Sequence, residues 1–234
     1  MIKTNTLRTR KGVFMSPEPK TIFLFANGPL ASRAWIPPLL GCNDMLIAVD
    51  GGLAHLADLG LAPDLIIGDL DSADPQQVQH YREQDIEIRQ FPIDKDQTDL
   101  ELAIDAALHM LPGKIRILGA LGGRIDQTLG NIFLLTQSKL EKIDIRLING
   151  DQEAFLIWNT AQLEGQPGQR VSLLPLQGAV TGIRTHGLKY PLEDETLYPD
   201  QTRGISNLME QERAAIEIEH GKLLCFHEFS IESP

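Results

Sequence analysis

Cysteine is scarce in this 234-residue chain, which contains only Cys42 and Cys225. Two cysteines provide neither a disulfide framework nor a metal cluster, and we expect two buried thiols in a reducing cytoplasm. Long apolar runs are also absent, and none approaches the roughly 18 residues that a membrane-spanning helix needs. The run Ile22–Phe25 is shorter than the apolar core of a secretory signal, about 7–15 residues. Residues 1–19 are therefore predicted to form a flexible, basic N-terminal extension.

Two familiar nucleotide-binding motifs are missing. The sequence has no G-x-x-x-x-G-K-[ST] and no G-x-G-x-x-G, which excludes a P-loop protein and a standard dinucleotide binder. No Ser-His-Asp arrangement or cysteine nucleophile is indicated, and the six histidines are scattered without metal-ligand spacing. Whatever chemistry the chain performs must come from other residue types.

Acidic residues are plentiful. The 32 Asp and Glu outnumber the 21 Lys and Arg, which gives a net charge of −11. Such a charge repels nucleic acid and anionic membranes as non-specific partners. The apolar fraction of 42% is ordinary for a globular protein and argues against general disorder. Many of the carboxylates stand in tight groups and not along helix faces, so these groups need an explanation.

Strand-like and helix-like patterns alternate over residues 20–150. Short apolar runs bounded by turn residues predict buried parallel strands at Ile22–Phe25, Leu46–Val49, Leu65–Ile67, Ile115–Leu118 and Ile145–Ile148. Helical patterns follow Asp74-Pro75, begin at Thr98, and run from about Asp126 to Leu140. The alternation predicts an α/β domain with a mainly parallel, Rossmann-like sheet.

The pattern changes after Gly150, and an all-β domain is predicted for residues 151–234. No long helix is indicated, and His220-Gly221 is interpreted as a hairpin turn. The predicted strands are Ala154–Trp158, Arg170–Pro175, Ala179–Arg184, Ala214–Glu219 and Lys222–His227.

Acids, amides and glycines gather where the predicted parallel strands end. The segments are Asn27-Gly28, Asp50-Gly51-Gly52 and Gly68-Asp69-Leu70-Asp71-Ser72. In an open parallel sheet the ligand crevice lies beyond the carboxyl ends of the strands, so these segments are expected at one edge. If the chain is extended from Asp69 to Asp71, both carboxylates point the same way and favour a bound cation such as Mg²⁺. The alternative is that these residues serve only as turn and cap residues.

Two further polar groups are expected at the same edge. Thr98 as a helix N-cap accounts for Asp99 through the helix dipole, but not for Asp96, so a cation site completed from this second loop is favoured. Lys95 is placed to meet a phosphate. Arg124, beside glycines at a predicted helix N-terminus, suits phosphate binding, and its alternative is a surface ion pair with Asp126.

With these residues assembled, the chain resembles the thiamin pyrophosphokinase family over residues 20–227. Each motif is weak alone, but their order and spacing together are specific. The matching segments are Asp50-Gly51-Gly52, Pro63-Asp64, Gly68 to Ser72, Asp96-Gln97-Thr98-Asp99, Leu118-Gly119, Gly123 to Gln127, Gly187 to Tyr190, and Gly204-Ile205-Ser206-Asn207.

The resemblance implies a cytoplasmic homodimer with an α/β nucleotide-binding domain and a C-terminal β-sandwich for thiamin binding and dimerisation. Such enzymes transfer the diphosphoryl group of ATP to the hydroxyl of thiamin, with Mg²⁺, and release AMP. The implied roles are Mg²⁺ ligation by Asp69, Asp71 and Asp99, nucleotide contacts by Asp50, Gly51 and Gly52, phosphate contact by Arg124, and thiamin-side contacts by Asp126, Gln127, Ser206 and Asn207. Asn27 and Lys95 are also expected to bind the nucleotide.

The catalytic residues are expected to be Asp71, Asp96, Asp99 and Arg124, because diphosphoryl transfer depends on positioning and charge neutralisation. The sequence does not decide whether Asp96 or Asp99 orients or deprotonates the attacking hydroxyl. Many bacterial family members have His where Gln127 stands, although Gln also occurs.

Two alternative functions stay open. One is a related diphosphokinase with a different alcohol acceptor, such as a hydroxymethylpterin. The other is a non-catalytic nucleotide- or thiamin-binding regulator, against which the three predicted metal carboxylates argue.

Overall fold

The computed structural model describes residues 21–30 and 33–229, so the predicted N-terminal extension lies outside the described residues. Within these ranges the chain forms four α-helices and thirteen strands. The helices are α1 (Leu53–Asp58), α2 (Pro75–Glu83), α3 (Asp99–His109) and α4 (Ile125–Leu134). None of the described helices is long and apolar enough to cross a membrane.

The first six strands form a parallel sheet in the order β4-β3-β2-β1-β5-β6. All five predicted strands of this region are confirmed. The sixth, β4, was missed because its sequence EIRQ has no apolar run and its side chains are partly exposed. The strands are β1 (Thr21–Phe25), β2 (Met45–Val49), β3 (Leu65–Gly68), β4 (Glu87–Gln90), β5 (Lys114–Leu118) and β6 (Asp144–Asn149).

The remaining strands pair antiparallel and continue the same sheet. Strand β6 pairs with β7, and the order then runs β7-β13-β9-β12-β8. An α/β region followed by a β-rich C-terminal region is therefore confirmed, and the two regions share one mixed sheet. These strands are β7 (Gln152–Ile157), β8 (Thr160–Glu164), β9 (Arg170–His186), β10 (Glu193–Leu197), β11 (Asn207–Leu208), β12 (Arg213–Glu217) and β13 (His220–Glu228).

Two predictions for the β-rich region were wrong. The runs Arg170–Pro175 and Ala179–Arg184 belong to one 17-residue strand, β9. Gln177 and Gly178 have positive φ inside it, and the register of β13 shifts there, so the strand bends without ending. His220-Gly221 is not a hairpin turn, because β9 lies between β12 and β13 and these two strands do not pair.

The predicted helix starts are confirmed by their caps. Asp74 accepts a hydrogen bond from the Gln76 amide at 2.9 Å, with proline at the first helical position, and Thr98 accepts one from the Glu101 amide at 3.3 Å. Helix α4 ends at Leu134 and not near Leu140, where a separate short 3₁₀ turn follows. Cys42 is exposed, contrary to expectation, while Cys225 is buried.

Alternating side chains of β1 supply two different cores. Ile22 and Leu24 pack with α3, whereas Phe23 and Phe25 pack in a second cluster with α1 and α2. A strand places successive side chains on opposite faces, so the apolar run is buried by helices on both sides. This covering leaves the carboxyl ends of the strands as the accessible edge of the sheet.

Glycines bring the strand ends into close contact. The Gly28 amide donates to the Gly119 carbonyl at 2.7 Å, which joins the segments that follow β1 and β5. A Cβ atom on Gly52 would lie 1.8 Å from the Phe25 carbonyl oxygen. The glycine after Asp50-Gly51 is therefore required by packing between β1 and β2.

We predict opposite effects of alanine at two glycines. Gly52→Ala should lower the free energy of unfolding by about 3 kcal/mol, since backbone must move to relieve the clash. Gly130→Ala, in α4 where no atom lies within 4 Å of the new Cβ, should raise it by about 0.5–1 kcal/mol. Urea unfolding of both variants measures this, and equal stabilities would contradict the packing role of Gly52.

Candidate functional site

A cleft of about 550 Å³ opens at the carboxyl ends of β1, β2, β3 and β5. Its position agrees with the edge that the sequence indicated. Eight of the predicted site residues line it: Asn27, Asp50, Asp69, Asp71, Lys95, Asp99, Arg124 and Gln127.

Three of these carboxylates form a compact cluster. Asp50, Asp69 and Asp99 each offer one oxygen, and these oxygens lie within 4.8 Å of one another. They come from three separate segments, after β2, after β3 and at the first turn of α3. We call these three residues the carboxylate cluster.

Asp71 lies in the cleft but outside the carboxylate cluster. The chain is not extended between Asp69 and Asp71, because Leu70 has φ of 66°. The condition for parallel side chains therefore fails, and the Asp71 carboxylate instead accepts the Ser72 hydroxyl at 2.9 Å. Asp50 stands in the cluster where Asp71 was expected, and the role of Asp71 as a metal ligand stays a prediction.

Backbone geometry directs Asp50 into the site. Its φ of 50° turns the chain sharply at the end of β2, and aspartate tolerates this region better than most residues. The side chain is only 8% exposed, and its Oδ1 atom has no hydrogen-bond partner among the described residues. Burial raises the pKa of Asp50, with smaller contributions from the charges of Asp71 and Asp99, and outweighs the hydrogen bonds from Gly51 and Ser72.

Lys95 bridges the other two members of the cluster. Its Nζ lies 2.7 Å from Asp69 Oδ2 and 3.1 Å from Asp99 Oδ1. The hydrogen bond from Lys95 is the main cause that lowers the pKa of Asp69. Burial lowers the pKa of Lys95, but the two carboxylates more than offset this and raise it overall. Lys95 is thus a charged partner of the cluster.

The carboxylate cluster fits a hard divalent cation. Its donors are oxygens only, and Mg²⁺ binds one or two carboxylates together with phosphate oxygens and water. The unpartnered Asp50 Oδ1 is an oxygen that a cation would satisfy. No Cys or His belongs to the cluster, so its chemistry favours Mg²⁺ over zinc.

Arg124 is the N-cap residue of α4 and pairs with Asp126 at 2.5 Å. Both side chains are more than half exposed, so the pair itself contributes little to stability. Arg124 lines the cleft together with Gln127, whereas Asp126 does not. The two alternatives for Arg124 are therefore compatible, since the ion pair holds a guanidinium group at the mouth of the cleft.

Six predicted site residues lie away from the cleft lining, and Asp126 is one of them. Gly51 and Gly52 are buried beneath Asn27 and Phe25, and Asp96 is exposed on the loop before α3. Ser206 and Asn207 belong to the β-rich region. The Asn207 side chain is buried, accepts a hydrogen bond from the Tyr190 amide at 3.0 Å and donates one to the Tyr190 carbonyl at 2.7 Å.

Sequence reasoning missed two residues that shape the cleft. Asn131 lines it, and its amide donates to the Ala120 carbonyl at 2.8 Å. Its signal was available, because Asn131 lies four residues after Gln127 on the same face of α4. The sequence indicated no function for His55. Its Nε2 lies 2.9 Å from the Gly28 carbonyl oxygen, and this contact supports the Asn27-Gly28 segment.

Comparison with known proteins finds the same family along both parts of the chain. Residues 37–147 match the family described as "Thiamin pyrophosphokinase, catalytic domain", and residues 160–224 match "Thiamin pyrophosphokinase, vitamin B1 binding domain". Thiamine pyrophosphokinase of Bacillus subtilis is 33% identical over 210 residues, which is 88% of this chain and 97% of that protein.

Solved structures show the same fold. The crystal structure of thiamine pyrophosphokinase from Bacillus subtilis superimposes with a TM-score of 0.81 at 31% identity, covering 90% of this chain and 100% of that one. The Geobacillus thermodenitrificans structure gives 0.79 at 26% identity, covering 90% and 98%. The yeast structure, at 18% identity, gives 0.76 and covers 92% and 88%.

We predict that Asp50→Asn separates cation binding from stability. A carboxyl group whose pKa is raised by folding destabilises the fold above its unfolded pKa, near 3.9, because ionisation is easier in the unfolded chain. Asparagine removes this charge and tolerates the positive φ. The melting temperature at pH 7 without metal should therefore stay equal or rise, while Mg²⁺ affinity in the presence of nucleotide falls at least about tenfold.

Calorimetry and Mn²⁺ titration measure these two quantities, with Asp200→Asn, at an exposed position of the β-rich region, as a control for loss of one charge. A variant that unfolds, or that binds the cation as before, would contradict the role given to Asp50.

Proposed function

The chain belongs to the thiamin pyrophosphokinase family, and we propose that it transfers the diphosphoryl group of ATP to the hydroxyl of thiamin, giving thiamin diphosphate and AMP. The observation that carries the proposal is the carboxylate cluster in one cleft with Lys95 and Arg124. Carboxylates for a metal and cations for phosphate are the groups that phosphoryl-type transfer requires.

The carboxylate cluster would hold Mg²⁺ against the phosphates. When bound, this ion would neutralise charge that develops on the phosphate oxygens. Asp50, Asp69 and Asp99 supply the cluster, and Asp71 stands next to it for a water-mediated or direct contact. Burial of Asp50 supports this role, because an ionised buried carboxylate is stabilised by a cation.

Lys95 and Arg124 would bind phosphate oxygens from two sides of the cleft. Lys95 comes from the loop before α3 and Arg124 from the N-terminus of α4. The amide groups at that N-terminus add a favourable dipole for an anion. Together these groups would orient the β-phosphorus for in-line attack, so that positioning and charge provide most of the rate.

Asp99 is a better candidate than Asp96 to orient the attacking hydroxyl. The Asp99 side chain lines the cleft, whereas Asp96 is exposed and lies outside the lining. A general base must reach the proton that it removes. The position of Asp99 in the cleft lining therefore supports it over Asp96 for this role.

The thiamin side of the site would be completed by a second copy of the chain. Ser206 is exposed and lies outside the cleft of its own chain, which supports a contact across a homodimer interface. Asn207 is buried and bonded to Tyr190, so it would act by holding this segment in place. Helix α4 carries an exposed apolar stripe of Ile125, Leu129 and Phe133, which recur every four residues. We call these three residues the α4 stripe. Ile205, next to Ser206, is also half exposed.

A turnover assay tests the function. The protein is incubated with ATP, Mg²⁺ and thiamin, and AMP and thiamin diphosphate are measured. We expect both products in equal amounts, at least about 10³-fold less activity in Asp71→Asn with an unchanged or higher melting temperature, and normal activity in the exposed control Asp200→Asn. We expect a loss of activity of this size because Asp71→Asn removes a charged group beside the transferred phosphates.

Three results would contradict this proposal. ADP as the product would indicate single phosphoryl transfer, and turnover with a hydroxymethylpterin but not thiamin would favour the other acceptor. Binding of ATP and thiamin without any turnover would favour a regulator. If Asp71→Asn unfolds, Asp71 serves as a turn and cap residue and not as part of the site.

Charge on the α4 stripe should dissociate the homodimer. Leu129→Glu places a carboxylate within the stripe, and we expect a monomer in analytical ultracentrifugation with at least about tenfold lower thiamin turnover. Leu111→Glu is the control, because Leu111 is 88% exposed but follows α3, outside the stripe. A Leu129→Glu protein that stays dimeric, or a monomeric unsubstituted chain, would contradict the interface.

A further inference from the structure

The ammonium group of Lys95 already occupies the carboxylate cluster. It lies within 3.1 Å of Asp69 and Asp99, two of the three residues whose oxygens converge there. The Lys95 side chain is only 14% exposed, so these carboxylates replace much of its water. The proposed phosphate contact does not explain why it is paired in this way.

An ammonium ion and a divalent cation compete for the same oxygens. A cation bound by Asp69 and Asp99 would stand close to Lys95 and would be repelled by it. This repulsion would be substantial because both charges would lie within about 3 Å of the same carboxylate oxygens, a distance well below the length over which salt screens charge. Lys95 and a divalent cation therefore compete for the oxygens of Asp69 and Asp99.

A bound phosphate group removes this conflict. Lysine has a flexible four-carbon stem, and its ammonium group binds phosphate as a mobile point charge. The residue lies on the loop that enters α3, at the wall of the cleft, where phosphate oxygens are proposed to bind. Moving to phosphate would free oxygens of Asp69 and Asp99, while the unpartnered Oδ1 of Asp50 is open already.

We propose that Lys95 is the counter-ion of the free protein and makes divalent-cation binding dependent on nucleotide. Without nucleotide it neutralises the cluster and weakens metal binding. With nucleotide it pairs with phosphate, and the cation enters the cluster. This inference rests on the proposed function, since it requires a nucleotide phosphate in the cleft, and it adds an order in which metal and nucleotide bind.

Mn²⁺ titration of the full chain tests this, with free Mn²⁺ followed by electron paramagnetic resonance. Without nucleotide, Lys95→Met should bind Mn²⁺ about tenfold or more tightly than the unsubstituted chain, because the competing charge is removed. Lys114→Met is the matched control, since it removes an exposed ammonium group at the opposite end of β5 and should change nothing.

A non-hydrolysable ATP analogue supplies the second arm. After subtraction of the Mn²⁺ that the analogue binds without protein, it should tighten Mn²⁺ binding by the unsubstituted chain about tenfold or more, and binding by Lys95→Met by less. Lys95→Met that binds no more tightly than the unsubstituted chain would overturn the proposal. If this variant does not fold, the unsubstituted chain still decides, because Mn²⁺ binding that is equally tight with and without the analogue would also overturn it.

Neither titration contains thiamin or measures turnover. If Mn²⁺ binding depends on the analogue and on Lys95 as expected but thiamin is not turned over, thiamin is not the acceptor and the role of Lys95 is unaffected. Thiamin turnover without the pattern would contradict the role of Lys95 alone.

Discussion

Repulsion among Asp50, Asp69 and Asp99 is the constraint on which the site depends. Three carboxylates with oxygens within 4.8 Å would separate in a flexible chain. Here each is held by a different element of the sheet and helices, and the cores on both faces of β1 fix those elements. Folding energy from apolar burial thus maintains a concentration of negative charge that Lys95 offsets at Asp69 and Asp99, and that a divalent cation can offset at all three residues.

Unusual backbone conformations around the carboxylate cluster help to place its side chains. Asp50 and Leu70 adopt positive φ, which is uncommon for residues other than glycine and concentrates at functional positions. Gly52 lets the turn after β2 pass against the carbonyl of Phe25. The conformations that make these segments unusual also bring Asp50 into the cluster and keep Asp71 out of it.

The sequence predicted the elements whose signals are local. Apolar runs identified five parallel strands, and Thr98 and Asp74 marked helix starts through their capping side chains. Strand β4 was not predicted because its sequence is polar. The bend of β9 depends on its pairing with β13, which is distant in sequence, so no local pattern predicts it. The cleft followed from topology, since carboxyl ends of parallel strands share one edge. The membership of the carboxylate cluster did not, because it depends on two dihedral angles: the positive φ of Asp50 directs that side chain in, and the positive φ of Leu70 turns Asp71 away.

The central claim is that Asp50, Asp69 and Asp99 form a cation site that accepts metal together with nucleotide. Anomalous diffraction from crystals grown with Mn²⁺ and a non-hydrolysable ATP analogue tests it most directly. The account predicts one Mn²⁺ at about 2.0–2.2 Å from oxygens of these residues, with Lys95 on a phosphate. An ion elsewhere in the cleft, or Lys95 still bridging Asp69 and Asp99, would contradict it.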